Sequence, residues 1–217
     1  MPDRLRLPRR PDAVLLDLDG TLSDAGAAIA VSVAVAIERI GERPLSREQL
    51  RGFVGPPLED SFAALGLSDP VVARAVELYR ANHDQLASPL YEGVRAALQA
   101  LRGAGLPLAL ATSKPQQLAE LVLAGKRLAG FFDVVVGSDR EGGRLTKGDV
   151  VASALVALGT PFFPVMVGDR RHDVHGAAEH RVPCIGVLWG YGEPGELEQA
   201  GAAALAATPV ELVDLLT

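Results

Sequence analysis

Five short apolar runs, Ala13 to Leu16, Leu106 to Ala111, Val134 to Val136, Val165 to Val167 and Ile185 to Trp189, lack regular polar alternation. A strand with one face in water shows that alternation, whereas a strand covered on both faces does not. Between them lie apolar residues at helical spacing: Val94, Ala97, Leu98 and Leu101, then Val150, Val151, Ala154, Leu155 and Leu158, closed by Gly105 and Gly159. Buried strands alternating with helices restrict the chain to an α/β fold, a doubly wound parallel sheet.

One interval breaks the alternation. From Ala25 to Ser88 no buried-strand run occurs, and Ile29, Val33, Ile37 and Ile40 recur at the period of a helix. Ser46 with Gln49 forms a capping-box pattern, and Asp69 followed by Pro70 is a second helix start. These 64 residues are too many for a loop in a compact domain. The expected organisation is an α/β core of residues 1–24 and 89–217, with a small all-helical domain, 25–88, inserted after the first strand.

Composition narrows the function classes. The 217 residues are 48% hydrophobic and 22% charged, the makeup of a globular protein, and no apolar run approaches the ~20 residues of a membrane span. The first dozen residues carry Arg4, Arg6, Arg9 and Arg10 without the apolar stretch of a secretory signal, so a cytoplasmic location is expected. Cys184 is the sole cysteine, which excludes an internal disulfide or a cysteine-based zinc cluster. A net charge of −6 argues against a nucleic-acid partner and against polybasic membrane binding. Any anionic ligand must be captured locally, by a monomer or a homodimer.

Acidic residues follow two of the apolar runs. In Asp17-Leu18-Asp19-Gly20-Thr21-Leu22 the two carboxylates are two apart, hence on one face of extended chain, and point into the crevice at the carboxyl end of the sheet. Neighbouring carboxylates require a cation, a shared proton or different tasks. Gly20 permits a sharp turn, and Thr21 adds a hydroxyl. In Gly168-Asp169-Arg170-Arg171-His172-Asp173, a helix starting soon after Asp169 returns Asp173 to the same edge. Four converging carboxylates call for a hard divalent ion, Mg²⁺ foremost. Lys147 supplies one positive charge, and Thr112 with the main-chain amides of Ser113 and Lys114 offers donors to phosphoryl oxygens.

With these motifs in hand, the sequence resembles the haloacid dehalogenase-like superfamily of aspartate-nucleophile phosphatases. The resemblance rests on DLDGTL at 17–22, ATSKP at 111–115, TKGD at 146–149 and VGDRRHD at 167–173, in that order. The helical insert resembles the cap of one branch. Gly55-Pro56-Pro57-Leu58 and the Gly186–Gly192 segment are similar to the phosphoglycolate phosphatase and 5'-nucleotidase group. The resemblance implies that Asp17 attacks phosphorus to give an aspartyl-phosphate and that Asp19 is the general acid and base. It implies that Thr112 and Lys147 hold the phosphoryl group, and that Mg²⁺ sits on Asp17, Asp169 and the carbonyl of Asp19 with Asp173 in or beside its outer shell. The expected substrate-binding set is Gly20, Thr21, Thr112, Ser113, Lys114 and Lys147, with Arg51 reaching in from the insert, and the substrate is a small phosphorylated metabolite.

Plainer readings stand beside these. Asp19-Gly20 alone is a turn signal, Asp169 after Gly168 is a potential helix cap, and an isolated Lys147 is a solvated lysine. Arg170, Arg171 and His172 read as a solvated turn, with a contact from one arginine to substrate or to the helical insert as the alternative, and His83, His175 and His180 read as structural or surface residues without metal-ligand spacing. Other functions compatible with clustered acids are a phosphomutase on the same core, a receiver phosphorylated on aspartate, and a catalytically silent scaffold. A receiver is not expected to carry the helical insert, and dehalogenation has no need of Asp19.

Overall fold

The computed structural model describes residues 7, 9–82, 84, 87–139 and 142–217; His83 lies outside them. Six strands, β1 (Ala13–Leu16), β2 (Leu108–Pro115), β3 (Val134–Ser138), β4 (Pro164–Gly168), β5 (Cys184–Val187) and β6 (Ala204–Ala206), form one parallel sheet in the order β3-β2-β1-β4-β5-β6. The strand order reverses between β1 and β4, where Leu16 lies opposite Val167. A crevice opens outside the carboxyl ends of the strands at such a switch point.

The absence of polar alternation has its expected cause. Val14 and Leu16 enter a cluster on one face with Leu98 and Leu101 of α5 (Val94–Gly103), Leu123 of α6 (Gln116–Gly125) and Leu212 of α10 (Pro209–Leu216). Leu15 points the other way, to Val150 and Val151 of α7 (Lys147–Ala157), Val174 of α8 (Arg171–Ala178) and Leu197 of α9 (Glu196–Gln199). Successive side chains of β1 thus fill different cores, and both faces of the sheet are covered by helices.

Between β1 and α5 the chain forms α1 (Gly26–Arg39), α2 (Arg47–Arg51), α3 (Leu58–Ala63) and α4 (Asp69–Asn82). Ser46 and Gln49 make the reciprocal capping box, at 3.2 and 2.9 Å. These helices gather a third cluster, in which Ile29, Val33 and Ile37 of α1 meet Phe53, Phe62 and Val76, with the two phenyl rings edge to face at 4.9 Å. The two crossings into the helical region run side by side: Ser23 bridges Leu90 antiparallel, and the Asp24 amide donates to the Pro89 carbonyl at 2.9 Å.

The expected strands shift in detail. β2 begins at Leu108 and runs on through Thr112 to Pro115, while β5 ends at Val187, short of Trp189. The alanine-rich stretch after Ala200 contains β6, a three-residue edge strand beyond the five apolar runs.

Candidate active site

Three neighbouring strands deliver the central groups. Asp17 directly follows β1, Asp169 directly follows β4, and Thr112 lies in the last half of β2. The Asp17 amide donates to the Val167 carbonyl at 3.0 Å, which extends the β1–β4 ladder and fixes where the side chain leaves the sheet. Asp173 stands in the first turn of α8, and its Oδ2 accepts the amides of Asp169 and Arg170, both at 3.1 Å. A capping role and a place in the cluster therefore coincide in one carboxylate.

Lys147 opens α7 behind a Thr146–Asp149 capping box. Its Nζ lies 2.6 Å from Asp17 Oδ1, 2.8 Å from Asp173 Oδ1 and 2.9 Å from the Ala111 carbonyl. Ligand atoms of Asp17, Asp169 and Asp173 lie within 4.8 Å of one another, all three buried. Burial pushes the Asp17 carboxyl up to about 6, with Asp173 adding to the rise and Lys147 opposing it. Asp169 is raised well above the ordinary carboxylate value, by burial first and by Asp173 and Asp17 next. Burial works against the Lys147 ammonium, but Asp17 and Asp173 outweigh it and hold its pKa above normal.

One ammonium thus pairs with two of the three buried acids, and Asp17 and Asp169 resist ionisation unless more positive charge arrives. The donors are hard carboxylate oxygens, which suit a divalent cation such as magnesium or calcium far better than a thiophilic metal. On that chemistry the site fits a metal ion.

The backbone around the cluster is shaped to it. Gly20 has φ +92°, and a Cβ there would collide with the Asp169 carboxylate. A Cβ at Gly190 would strike the same side chain. Tyr191 donates its amide to Asp169 Oδ2 at 2.8 Å, and Thr21 donates its hydroxyl to Asp169 Oδ1 at 3.5 Å. Gly20 and Thr21 therefore lie against Asp169 and are absent from the lining of the large cleft described next.

That cleft has a volume of about 960 Å³ and is walled by both the sheet edge and the helical region. Asp17, Asp19, Thr112, Ser113 and Lys114 line it from the core, and Gly55, Pro56, Pro57 and Leu58 from the helices. Thr112 is buried, its hydroxyl accepting the Lys114 amide at 3.2 Å. The Asp19 carboxylate is held by Lys114 Nζ at 2.8 Å and stands outside the three-acid group. Arg51 ends α2 on the exposed surface and is not among the cleft residues.

Three features lie outside the main reading of the sequence. Arg170 is buried and not in a solvated turn, and it is the arginine that reaches the helical insert: Nη1 donates to the Val54 carbonyl at 2.6 Å and Nε to Glu196 at 2.9 Å, tying the core to the helical region. Glu196 and Val54 both lie far from Arg170 along the chain, so these partnerships are invisible to local pattern. Tyr191 is the second, its hydroxyl donating to Asp24 and accepting the Gly26 amide at the start of α1. Trp189 is the third, donating to the Thr21 carbonyl at 3.0 Å. Of the remaining histidines, His175 is exposed, and His180 contacts the Gly148 carbonyl at 2.9 Å. Among the described residues no helix is long and apolar enough to cross a membrane.

Comparisons with known proteins return relatives with more than one printed activity. Residues 14–187 match the family model described as haloacid dehalogenase-like hydrolase. The tyrosine-protein kinase PtkA of Mycobacterium tuberculosis is 36% identical over 212 residues, covering 95% of this chain and 72% of that protein. A 5'-nucleotidase of Pseudomonas aeruginosa is 34% identical over 189 residues, 85% of this chain and 86% of its own. The crystal structure of a predicted phosphatase from Clostridium acetobutylicum superposes with a TM-score of 0.88 at 34% identity, over 95% of this chain and 98% of that one.

Proposed function

The chain belongs to the haloacid dehalogenase-like hydrolases and is a phosphatase of that family, and from that premise we propose a Mg²⁺-dependent phosphomonoester hydrolase that works through an aspartyl-phosphate on Asp17. The observation carrying this reading is the Asp17 carboxylate, bridged by Lys147 at 2.6 Å beside Asp169 and Asp173 and facing a cleft shared with Asp19.

Asp17 and Asp169, with the main-chain carbonyl of Asp19, would hold the metal, and Asp173 would stand alongside. When bound, the ion neutralises charge on the phosphoryl oxygens and on the acids around them. The protein's own groups perform the rest. An Asp17 oxygen attacks phosphorus as the bond to the leaving oxygen breaks, and Asp19 gives that oxygen a proton. Asp19 then takes a proton from water, whose oxygen attacks phosphorus, and phosphate leaves with Asp17 regenerated. Lys114 holds the Asp19 carboxylate at the cleft, while Thr112 on the cleft wall and Lys147, from behind Asp17, position the phosphoryl group.

Residues 25–88 serve as a cap domain over the 1–24 and 89–217 core in this reading. Their separate apolar cluster and the paired crossings at Ser23 and Leu90 support it. The substrate is a small phosphorylated metabolite, with phosphoglycolate and nucleoside monophosphates as the first classes to compare. The test is hydrolysis of p-nitrophenyl phosphate and of those metabolites with Mg²⁺ and with EDTA, beside Asp17→Asn. Metal-dependent turnover that disappears in the variant is the expected result; turnover unaffected by EDTA or by the substitution would overturn it.

A further inference from the structure

Past the carboxylates, the cleft extends along α3 and α4 to Asp139, Arg144 and Leu145, giving room far beyond that of a phosphoryl group. The charges along this extension are matched in a particular way. Among the described lining residues each cation faces a carboxylate: Lys114 bonds Asp19 at 2.8 Å, Arg80 bonds Glu59 at 3.0 Å, and Arg144 bonds Asp139 at 3.2 Å. Arg144 is further fixed by donating from Nε to the Gly137 carbonyl at 3.0 Å. Asp60 brings one more carboxylate, so beyond the phosphoryl end three acids face two guanidiniums. The remaining wall includes Ile29, Phe53, Leu58 and Leu118, and Phe53 is held by its edge contact with Phe62.

A second anionic group on the substrate would have to pull an arginine from its carboxylate and stand in a locally negative field. An uncharged or cationic body meets no such opposition, and a ring gains by covering the apolar wall. We propose, on the phosphomonoesterase reading, that this enzyme selects substrates whose leaving alcohol carries no negative charge, with a ring-bearing alcohol such as a nucleoside preferred. Esters bearing a carboxylate or a second phosphate are discriminated against. Phosphoglycolate is then a poor substrate despite the resemblance that suggests it, and a nucleoside 5'-monophosphate a good one.

A charge series of nearly constant size tests this with the full chain and Mg²⁺: phosphoglycolate, 2-hydroxyethyl phosphate and phosphoethanolamine, whose leaving groups carry −1, 0 and +1, with uridine 5'-monophosphate as the ring ester. The expected kcat/KM for phosphoglycolate is about tenfold or more below that for 2-hydroxyethyl phosphate, with uridine 5'-monophosphate highest. Phosphoglycolate turning over as well as the neutral ester would overturn the inference and leave the phosphatase reading standing. No turnover of any ester would remove that reading, and the inference with it. In Glu59→Gln, Arg80 loses its carboxylate partner and the disadvantage of phosphoglycolate should shrink about fivefold; an unchanged ratio would rule out this charge arrangement as its origin.

Discussion

Lys147 Nζ touches Asp17 Oδ1 at 2.6 Å and Asp173 Oδ1 at 2.8 Å, so a single ammonium bridges acids that enter from a strand end and from a helix. Removing it leaves buried carboxylates facing one another. Lys147→Ala is therefore expected to lower the metal-free melting temperature by on the order of 10 °C, the scale of a broken buried ion pair in a chain of this size. Mg²⁺ should recover more stability in the variant than it adds to the parent. Calorimetry of both proteins with and without the ion checks this, and an equal gain in the two would contradict it.

Asp17→Asn keeps the side-chain size and removes the proposed nucleophile. A loss of at least about a thousandfold in kcat with an unchanged circular dichroism spectrum is expected. Asp19→Asn should slow turnover as strongly by a different route, through loss of leaving-group protonation. Retention of activity within tenfold of the parent in either variant would show the role to be misassigned.

Gly190→Ala tests how tightly the backbone is built around Asp169. The added methyl must displace the Asp169 side chain or the Gly20 carbonyl. About tenfold weaker Mg²⁺ binding is expected, the scale of disturbing a group that orients a ligand. Titration calorimetry measures it, and wild-type affinity would mean that the loop yields freely.

Glu196 supplies a pH test of the core-to-helix link. Burial raises its pKa, but hydrogen bonds from the Arg171 amide, the Arg170 side chain and the Glu193 amide prevail, and the net shift is downward from 4.5. A depressed acid stabilises the fold fully above its unfolded pKa and loses that contribution as pH falls through its folded value. The stability gap between parent and Glu196→Gln in urea should hold from pH 8 to 6 and close below about pH 4.5. A gap independent of pH down to 3 would separate Glu196 from this link.

Local pattern carried much of the architecture. The apolar runs located five of six strands because a strand buried on both faces has a composition unlike any loop, and the Ser46–Gln49 and Asp69 signals located two helix starts. β6 escaped because Ala204–Ala206 is short and alanine-rich, with its strand character supplied by pairing to β5. Within the candidate site, residues attached to a strand end were readable, since position along the strand dictates where they point. Which arginine reaches the insert, at Val54, and the pairing of Lys114 with Asp19 were not. Both pair a flexible cation with a partner distant in sequence, and only the packed fold brings such groups together. Arg51 was misleading for the converse reason: a basic residue near a turn carries no information about which side of a helix meets the cleft.

The placement of β1 has a consequence for how the molecule is made. Within this sheet the earliest strand in chain order occupies an interior position, with β2 on one side and β4 on the other, and both are synthesised after the entire helical region. Until they arrive, Ala13–Leu16 is an apolar segment with two open hydrogen-bonding edges. The four helices that follow can meanwhile gather their own cluster from contacts local to that stretch. Assembly of the carboxylate cluster is thus a late event, governed by the arrival of Asp169 and Asp173, and the nascent chain passes through most of its length with β1 in need of protection from the edges of other chains.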